Sequence, residues 1–81
     1  MITRIIEVFS STTEEFICEF TLDDSWTVSK LHEIVKIDEN DHIIYLIYKL
    51  SRAQVFVLGG SHLLELNDGN VDFFLSYNGS P

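Results

Sequence analysis

The stretch ITRIIEVFSSTTEEFICEFTL, residues 2–22, decides the fold. Ile2 to Phe9 and Glu14 to Leu22 are both rich in β-branched and apolar residues, and Ser10-Ser11-Thr12-Thr13 between them is a turn composition. The pair predicts a β-hairpin. In its second strand Phe16, Cys18, Phe20 and Leu22 alternate with Glu15, Glu19 and Thr21, which gives one apolar and one wet face. Placing Ile6 and Val8 on the core side together with Phe16 and Cys18 needs an odd-length connection, so a bulged or three-residue turn is expected.

Outward from the hairpin, Asp23-Asp24-Ser25 ends the strand and offers side-chain acceptors to a helix beginning near Trp26 or Thr27. Val28, Leu31 and Val35 fall at i, i+3 and i+7 with Ile34 beside them, while Ser29, Lys30, Glu33 and Lys36 take the other side. This spacing predicts an amphipathic helix of about ten residues, which stops at the polar stretch Ile37-Asp38-Glu39-Asn40-Asp41. Ile43-Ile44-Tyr45-Leu46-Ile47-Tyr48 is apolar on both parities, the pattern of a strand inside the sheet. Ser51-Arg52-Ala53-Gln54 matches a capping box, Leu50 and Val55 stand where a hydrophobic staple would, and Gly59-Gly60 supplies a left-handed stop. A second short helix is favoured over 52–58, against the strand character of Val55, Phe56 and Val57.

Leu63 to Asn67 and Asn70 to Tyr77 flank Asp68-Gly69, a hairpin signal because a type I′ turn needs positive φ at both positions. A two-residue loop would set Leu66 opposite Val71, Glu65 opposite Asp72, Leu64 opposite Phe73 and Leu63 opposite Phe74. Leu64, Leu66, Val71, Phe73, Leu75 and Tyr77 then face the core, and Glu65, Asp72, Phe74 and Ser76 share the other face. Glu65 beside Asp72 would be a like-charge conflict. The expectation is a single α+β domain over residues 1–81: a mostly antiparallel sheet of about five strands with two short helices, in the order ββαβαββ.

Thirteen Asp and Glu against five Lys and Arg give a net charge of −8 over 81 residues, with 46% hydrophobic and 22% charged residues. The chain is too apolar for an acidic disordered tail. Its charge disfavours a direct grip on nucleic acid and suits a basic protein partner. The lone Cys18 allows no internal disulfide, and no signal-peptide pattern or lipidation motif appears, so a cytoplasmic protein is expected. The longest apolar run falls far short of the roughly 20 residues of a membrane span.

Sequence signatures of chemistry are lacking. His32, His42, His62 and Cys18 fall on separate elements or loops, without zinc spacing. Asp38, Asn40 and Asp41 lack the glycine and closing glutamate of a calcium loop, and Gly59-Gly60 lacks the lysine of a phosphate loop. No metal, cofactor or enzymatic activity is expected. The acidic residues fall into three groups: Glu14, Glu15 and Glu19; Asp38, Glu39 and Asp41; Glu65, Asp68 and Asp72. Fields of one sign speed encounter with a basic partner, while aromatic anchors supply affinity. Phe74, expected on the non-core face among acids, leads the anchors, followed by Trp26 and Tyr45.

The opening Ile5-Ile6-Glu7-Val8-Phe9 strand, Thr13 followed by Phe16-Ile17-Cys18-Glu19-Phe20, and Leu31 and Val35 before Asp38-Glu39-Asn40-Asp41 form a pattern. Tyr48-Lys49-Leu50-Ser51, Gln54 and the closing strand around Phe73-Phe74 continue it. In spacing and composition the chain resembles small acidic bacterial immunity proteins of polymorphic toxin and contact-dependent growth inhibition systems. The resemblance implies a monomer that binds one cognate toxin domain, commonly a basic nuclease and foremost a ribonuclease, and blocks its active site or substrate surface. It would make Asp38, Glu39, Asp41, Glu65 and Asp72 stand-ins for substrate phosphates, with Phe74 or Trp26 filling an apolar pocket. The competing expectation is a homodimeric structural or regulatory module joined through a sheet edge.

Overall fold

The run of β-branched residues at the start forms a nine-residue strand, β1 (Ile2–Ser10), which turns back into β2 (Phe16–Thr21). The structure is a computed structural model and describes residues 2–42, 44 and 46–79. After the hairpin come α1 (Val28–Ile34), β3 (Tyr48–Leu50), α2 (Arg52–Val57), two 3-10 turns (Ser61–Leu63 and Leu66–Gly69) and β4 (Val71–Gly79). The four strands form one antiparallel sheet in the order β2-β1-β4-β3. The α+β class and the two helices agree with the sequence, but among the described residues the strands number four, not the five expected.

The first hairpin forms, but its irregularity is a bulge within the strand pairing and not the turn expected to keep Phe16 on the core side. Val8 pairs with Cys18, but Phe9 pairs with Phe16, so a bulge separates the two pairs. The loop is closed by Ser10 N–H donating to Glu15 O (2.8 Å) and Glu14 N–H donating to Ser10 O (2.9 Å), with Glu14 in the left-handed region at φ 64°. Cys18 and Phe20 stay on the core side. The bulge carries Phe16, expected to face the core, to the opposite side of the sheet beside Phe9, where it is exposed.

The inner face of the sheet holds the core. Ile6, Val8, Phe73 and Leu75 meet Leu31 and Val35 from the α1 segment, Val55 and Leu58 from the α2 segment, and Leu63; all are buried. Helix α1 is shorter than expected. Thr27, not the Asp23–Ser25 cluster, caps it by accepting from Lys30 N–H, while Asp23 Oδ1 closes its own turn onto Ser25 N–H. The capping box of α2 is present: Ser51 Oγ accepts from Gln54 N–H, and Gln54 Oε1 accepts from Ser51 N–H at 2.7 Å. The Gln54 amide also donates to Ile34 O at 3.0 Å, satisfying a carbonyl at the end of α1 and tying the two helices together. Gly59 N–H reaches Phe56 O and Gly60 N–H reaches Val55 O, a Schellman stop with Gly59 at φ 88°. A Cβ on Gly60 would stand 3.0 Å from Val55 Cγ1 and 3.1 Å from Leu63 Cδ1, so a side chain there would have to push both aside by a few tenths of an ångström.

Two strand expectations fail. Among the described residues of 44–50, only Tyr48–Leu50 pairs, at a sheet edge and not inside the sheet, and Leu46 and Ile47 are exposed. Ile43 and Tyr45 lie outside the described residues. Ile44 is buried at φ 57°, a conformation that a β-branched side chain strongly disfavours and that continuous strand pairing cannot include. The second hairpin is also absent, and Leu63–Asn67 forms no strand. Asn67 and Asp68 do take left-handed angles, one residue earlier than Asp68-Gly69 would require, and Gly69 continues the turn at φ 83°. The partner positions are already filled: Leu50 occupies the place opposite Phe73 expected for Leu64, and Lys49 the place opposite Phe74 expected for Leu63. β1 holds the other side of β4, so neither side of Phe73 and Phe74 is free for Leu63 and Leu64, and the expected ladder loses those two pairs. Leu64 and Leu66 still pack against the core, from helical turns instead of a strand.

The segment leading to β3 is pinned by one carboxyl. Asp41, 8% exposed, accepts through Oδ2 from Leu46 N–H (2.8 Å) and from the Tyr48 hydroxyl (2.7 Å). Asp41→Ala leaves both donors without this acceptor and is expected to cost roughly 1–3 kcal/mol, read from the urea midpoint. Partial burial, followed by the bond to Asp41, raises the Tyr48 phenol above its ordinary pKa. A raised folded-state value means that this contribution is complete below the unfolded value and is lost as pH rises through the folded one. Tyr48→Phe should therefore flatten the loss of stability above about pH 10; wild-type and variant curves of equal slope there would show that the phenol contact does not govern it.

Candidate functional site

The outer face of the sheet is built by the opposite parity. It carries Ile5, Glu7 and Phe9 of β1, Asp72, Phe74 and Ser76 of β4, and Lys49 of β3, with Phe16 brought over by the bulge. Ile5 and its partner Ser76 are buried, so this face is closed at that end. At the other end it is open. The Phe9 ring lies edge-on between two others, with centroids 5.6 Å from both Phe16 and Phe74. The aromatic row therefore crosses three adjacent strands, β2, β1 and β4.

Beside this row is a hollow of about 330 Å³ lined by Glu7, Phe9, Ser10, Glu14, Ile47, Asp72 and Phe74. Its floor is apolar, and among its described lining residues there are three carboxylates and no cation. Lys49 Nζ stands 3.7 Å from Asp72 Oδ1, but both side chains are substantially exposed, so the pair contributes little. Glu7 lies directly across from Glu19, a like-charge pair on the same face that works against the fold by a few tenths of a kcal/mol. Asn78 Nδ2 donates to Glu19 Oε2 at 3.1 Å and relieves part of this. The charge conflict expected between Glu65 and Asp72 thus occurs elsewhere, because the hairpin that would have paired them does not form.

Of the residues singled out from sequence, Asp72 and Phe74 belong to this site. Trp26 is half-buried against the core. Asp41 spends its carboxyl within the fold, Asp38 accepts from Asn40 N–H in the same loop, and Glu39 is exposed beside it. Glu65 is exposed at the start of a 3-10 turn. None of these lines the hollow, and Tyr45 lies outside the described residues. Glu7, Phe9, Glu14 and Ile47 were not singled out as contact residues. The alternation of Glu7 and Phe9 with the core residues Ile6 and Val8 was the available signal for two of them.

Glu14 stands in a left-handed conformation at the edge of the hollow. A non-glycine residue there costs about 1 kcal/mol. Glu14→Gly is expected to raise stability by up to about 1 kcal/mol while weakening attraction for a cation, as read by thermal unfolding and by binding to a basic protein. A variant that is both less stable and an equally good binder would remove Glu14 from the site.

The hollow contains no histidine or thiol. Among its described lining residues the one hydroxyl, Ser10 Oγ, lies 3.0 Å from Thr12 Oγ1 and accepts from Thr12 and Thr13 N–H. His62 lies edge-on to Phe20, and His32 Nε2 is 3.4 Å from His42 O. Among the described residues no group of three or more His, Cys, Asp or Glu could hold a metal ion, and no helix is long and apolar enough to cross a membrane. The arrangement suits recognition of an apolar body carrying positive charge. The model of one family, described as Domain of unknown function (DUF7683), matches residues 3–76. No curated protein and no solved structure gives a significant match.

Proposed function

The chain belongs to the DUF7683 family, and from that premise we propose that it is a non-enzymatic binding protein whose open sheet face engages a basic protein. The partner in this reading is a toxin domain, foremost a ribonuclease, met in the cytoplasm and neutralised when its active site or substrate surface is covered. The supporting observation is the exposed row Phe16, Phe9 and Phe74 bordered by Glu7, Glu14 and Asp72. Aromatic side chains at the centre of a contact supply most of its affinity, and surrounding charge directs the encounter. The resemblance to immunity proteins supplies the toxin. Asp72, with Glu7 and Glu14, then stands where substrate phosphate would sit in a basic cleft.

Co-expression with the open reading frame immediately upstream tests this. Rescue of growth together with co-purification is the expected result. A harmless neighbour that does not bind would remove the immunity reading. A second reading, homodimerisation, is favoured by the β2 edge, which among the described residues pairs only with β1 and exposes Phe16 and Ile17. Sedimentation of the isolated chain separates the two, since the inhibitor reading expects a monomer.

A further inference from the structure

We infer that the hollow between Phe9, Phe74 and Ile47 is the seat of a single arginine side chain presented by the partner protein. This rests on the basic-partner reading of the same face and narrows it to one chemical group. The lining sets two demands. Phe9, Phe74 and Ile47 favour an occupant that displaces water from apolar surface, while Glu7, Glu14 and Asp72 lose hydration unless the occupant replaces it with charge and hydrogen-bond donors.

A neutral apolar side chain meets only the first demand, and an acidic one is repelled. Lysine offers an apolar stem but ends in a compact, strongly hydrated ammonium. Arginine meets both demands: its planar guanidinium is weakly hydrated, lies against phenyl rings, and presents a fork of donors to carboxylates. A second copy of this chain would bring its own three carboxylates and a further net charge of −8 against the same rim. Lys49 is no substitute for the occupant, since its ammonium meets Asp72 from an exposed position and is not among the lining residues.

The test is a two-dimensional amide NMR titration of the full chain with three capped tripeptides, acetyl-Gly-X-Gly-amide, where X is arginine, lysine or citrulline. Citrulline keeps the shape of arginine without its charge. Expected are saturable shifts at residues 7, 9, 72 and 74 with the arginine peptide, with a Kd on the order of 1 mM. Lysine should bind at least about five-fold more weakly, and citrulline should not saturate. Asp72→Asn and Glu7→Gln, each with an otherwise unchanged spectrum, should each weaken the arginine titration by about five-fold.

Equal binding of arginine and lysine would overturn the guanidinium seat while leaving the basic-partner reading standing. Citrulline binding as well as arginine, or arginine shifts spread away from this face, would also overturn the seat. Broadening of the same amides with protein concentration alone would show a second copy on this face and overturn it too. Failure of the basic-partner reading is registered separately, by the co-expression experiment.

Discussion

The double substitution Glu7→Lys and Asp72→Lys is expected to weaken binding of a basic partner by at least about 100-fold, which is about 2.7 kcal/mol, without unfolding the protein. The reversal replaces two of the three carboxylates at the hollow with charges that repel the occupant. Stability should hardly change, for a reason visible in the strand register. Lysine at position 7 would face Glu19 across β1 and β2, turning a like-charge pair into an attractive one. Lysine at position 72 loses an exposed pair with Lys49 that was worth little and meets that ammonium as a like charge, a cost of a few tenths of a kcal/mol that offsets the gain at position 7. An unchanged or slightly higher Tm with binding abolished is the signature of a contact surface. Retained affinity in a folded double variant would remove the outer face from the binding reading.

Phe73→Ala is expected to have the largest effect on the fold, about 3–5 kcal/mol. Phe73 is 2% exposed and lies opposite Val8 on one side and Leu50 on the other, in the centre of the inner face. A domain of 81 residues has a total stability of about 4–12 kcal/mol at typical values per residue, so the variant should be largely unfolded or close to it by circular dichroism in urea. Phe74→Ala, one residue later, should be much milder because its ring sits on the outer face against Phe9. Its cost should appear in binding. Equal destabilisation by the two substitutions would contradict the assignment of their faces.

Local signals were legible in the sequence where a few neighbouring residues decide the backbone. The first hairpin, the capping box at Ser51 and Gln54 and the glycine stop at Gly59 are of this kind, whereas the bulge turns Phe16 outward against the expectation. The core-facing parity of Phe73 and Leu75, and the outward parity of Asp72 and Phe74, were also readable. The partners of β4 were not. Periodicity says which way a side chain points, but not which strand lies alongside. Residues 63–67 had alternation and a turn signal, yet Tyr48–Leu50 took the edge they would have used. The candidate site was half visible for the same reason. Asp72 and Phe74 could be placed on a face, whereas Glu7 and Phe9 join them only through the pairing of β1 with β4, which spans nearly the whole chain.

That pairing also governs when the protein becomes competent as it is made. β1 is synthesised first of the four strands and β4 last, yet they lie side by side from Ile2–Gly79 to Ser10–Val71. A nascent chain can close the β1–β2 hairpin early, but β1 keeps a bare edge and the inner face lacks Phe73 and Leu75 until residues 71–79 emerge. Such long-range strand pairing is slow, because loop closure comes before the contacts that reward it. The hollow straddles the same seam, with Glu7 and Phe9 on one side and Asp72 and Phe74 on the other. Translation interrupted before β4 therefore leaves no half-strength binder, and the surface appears only with the final strand.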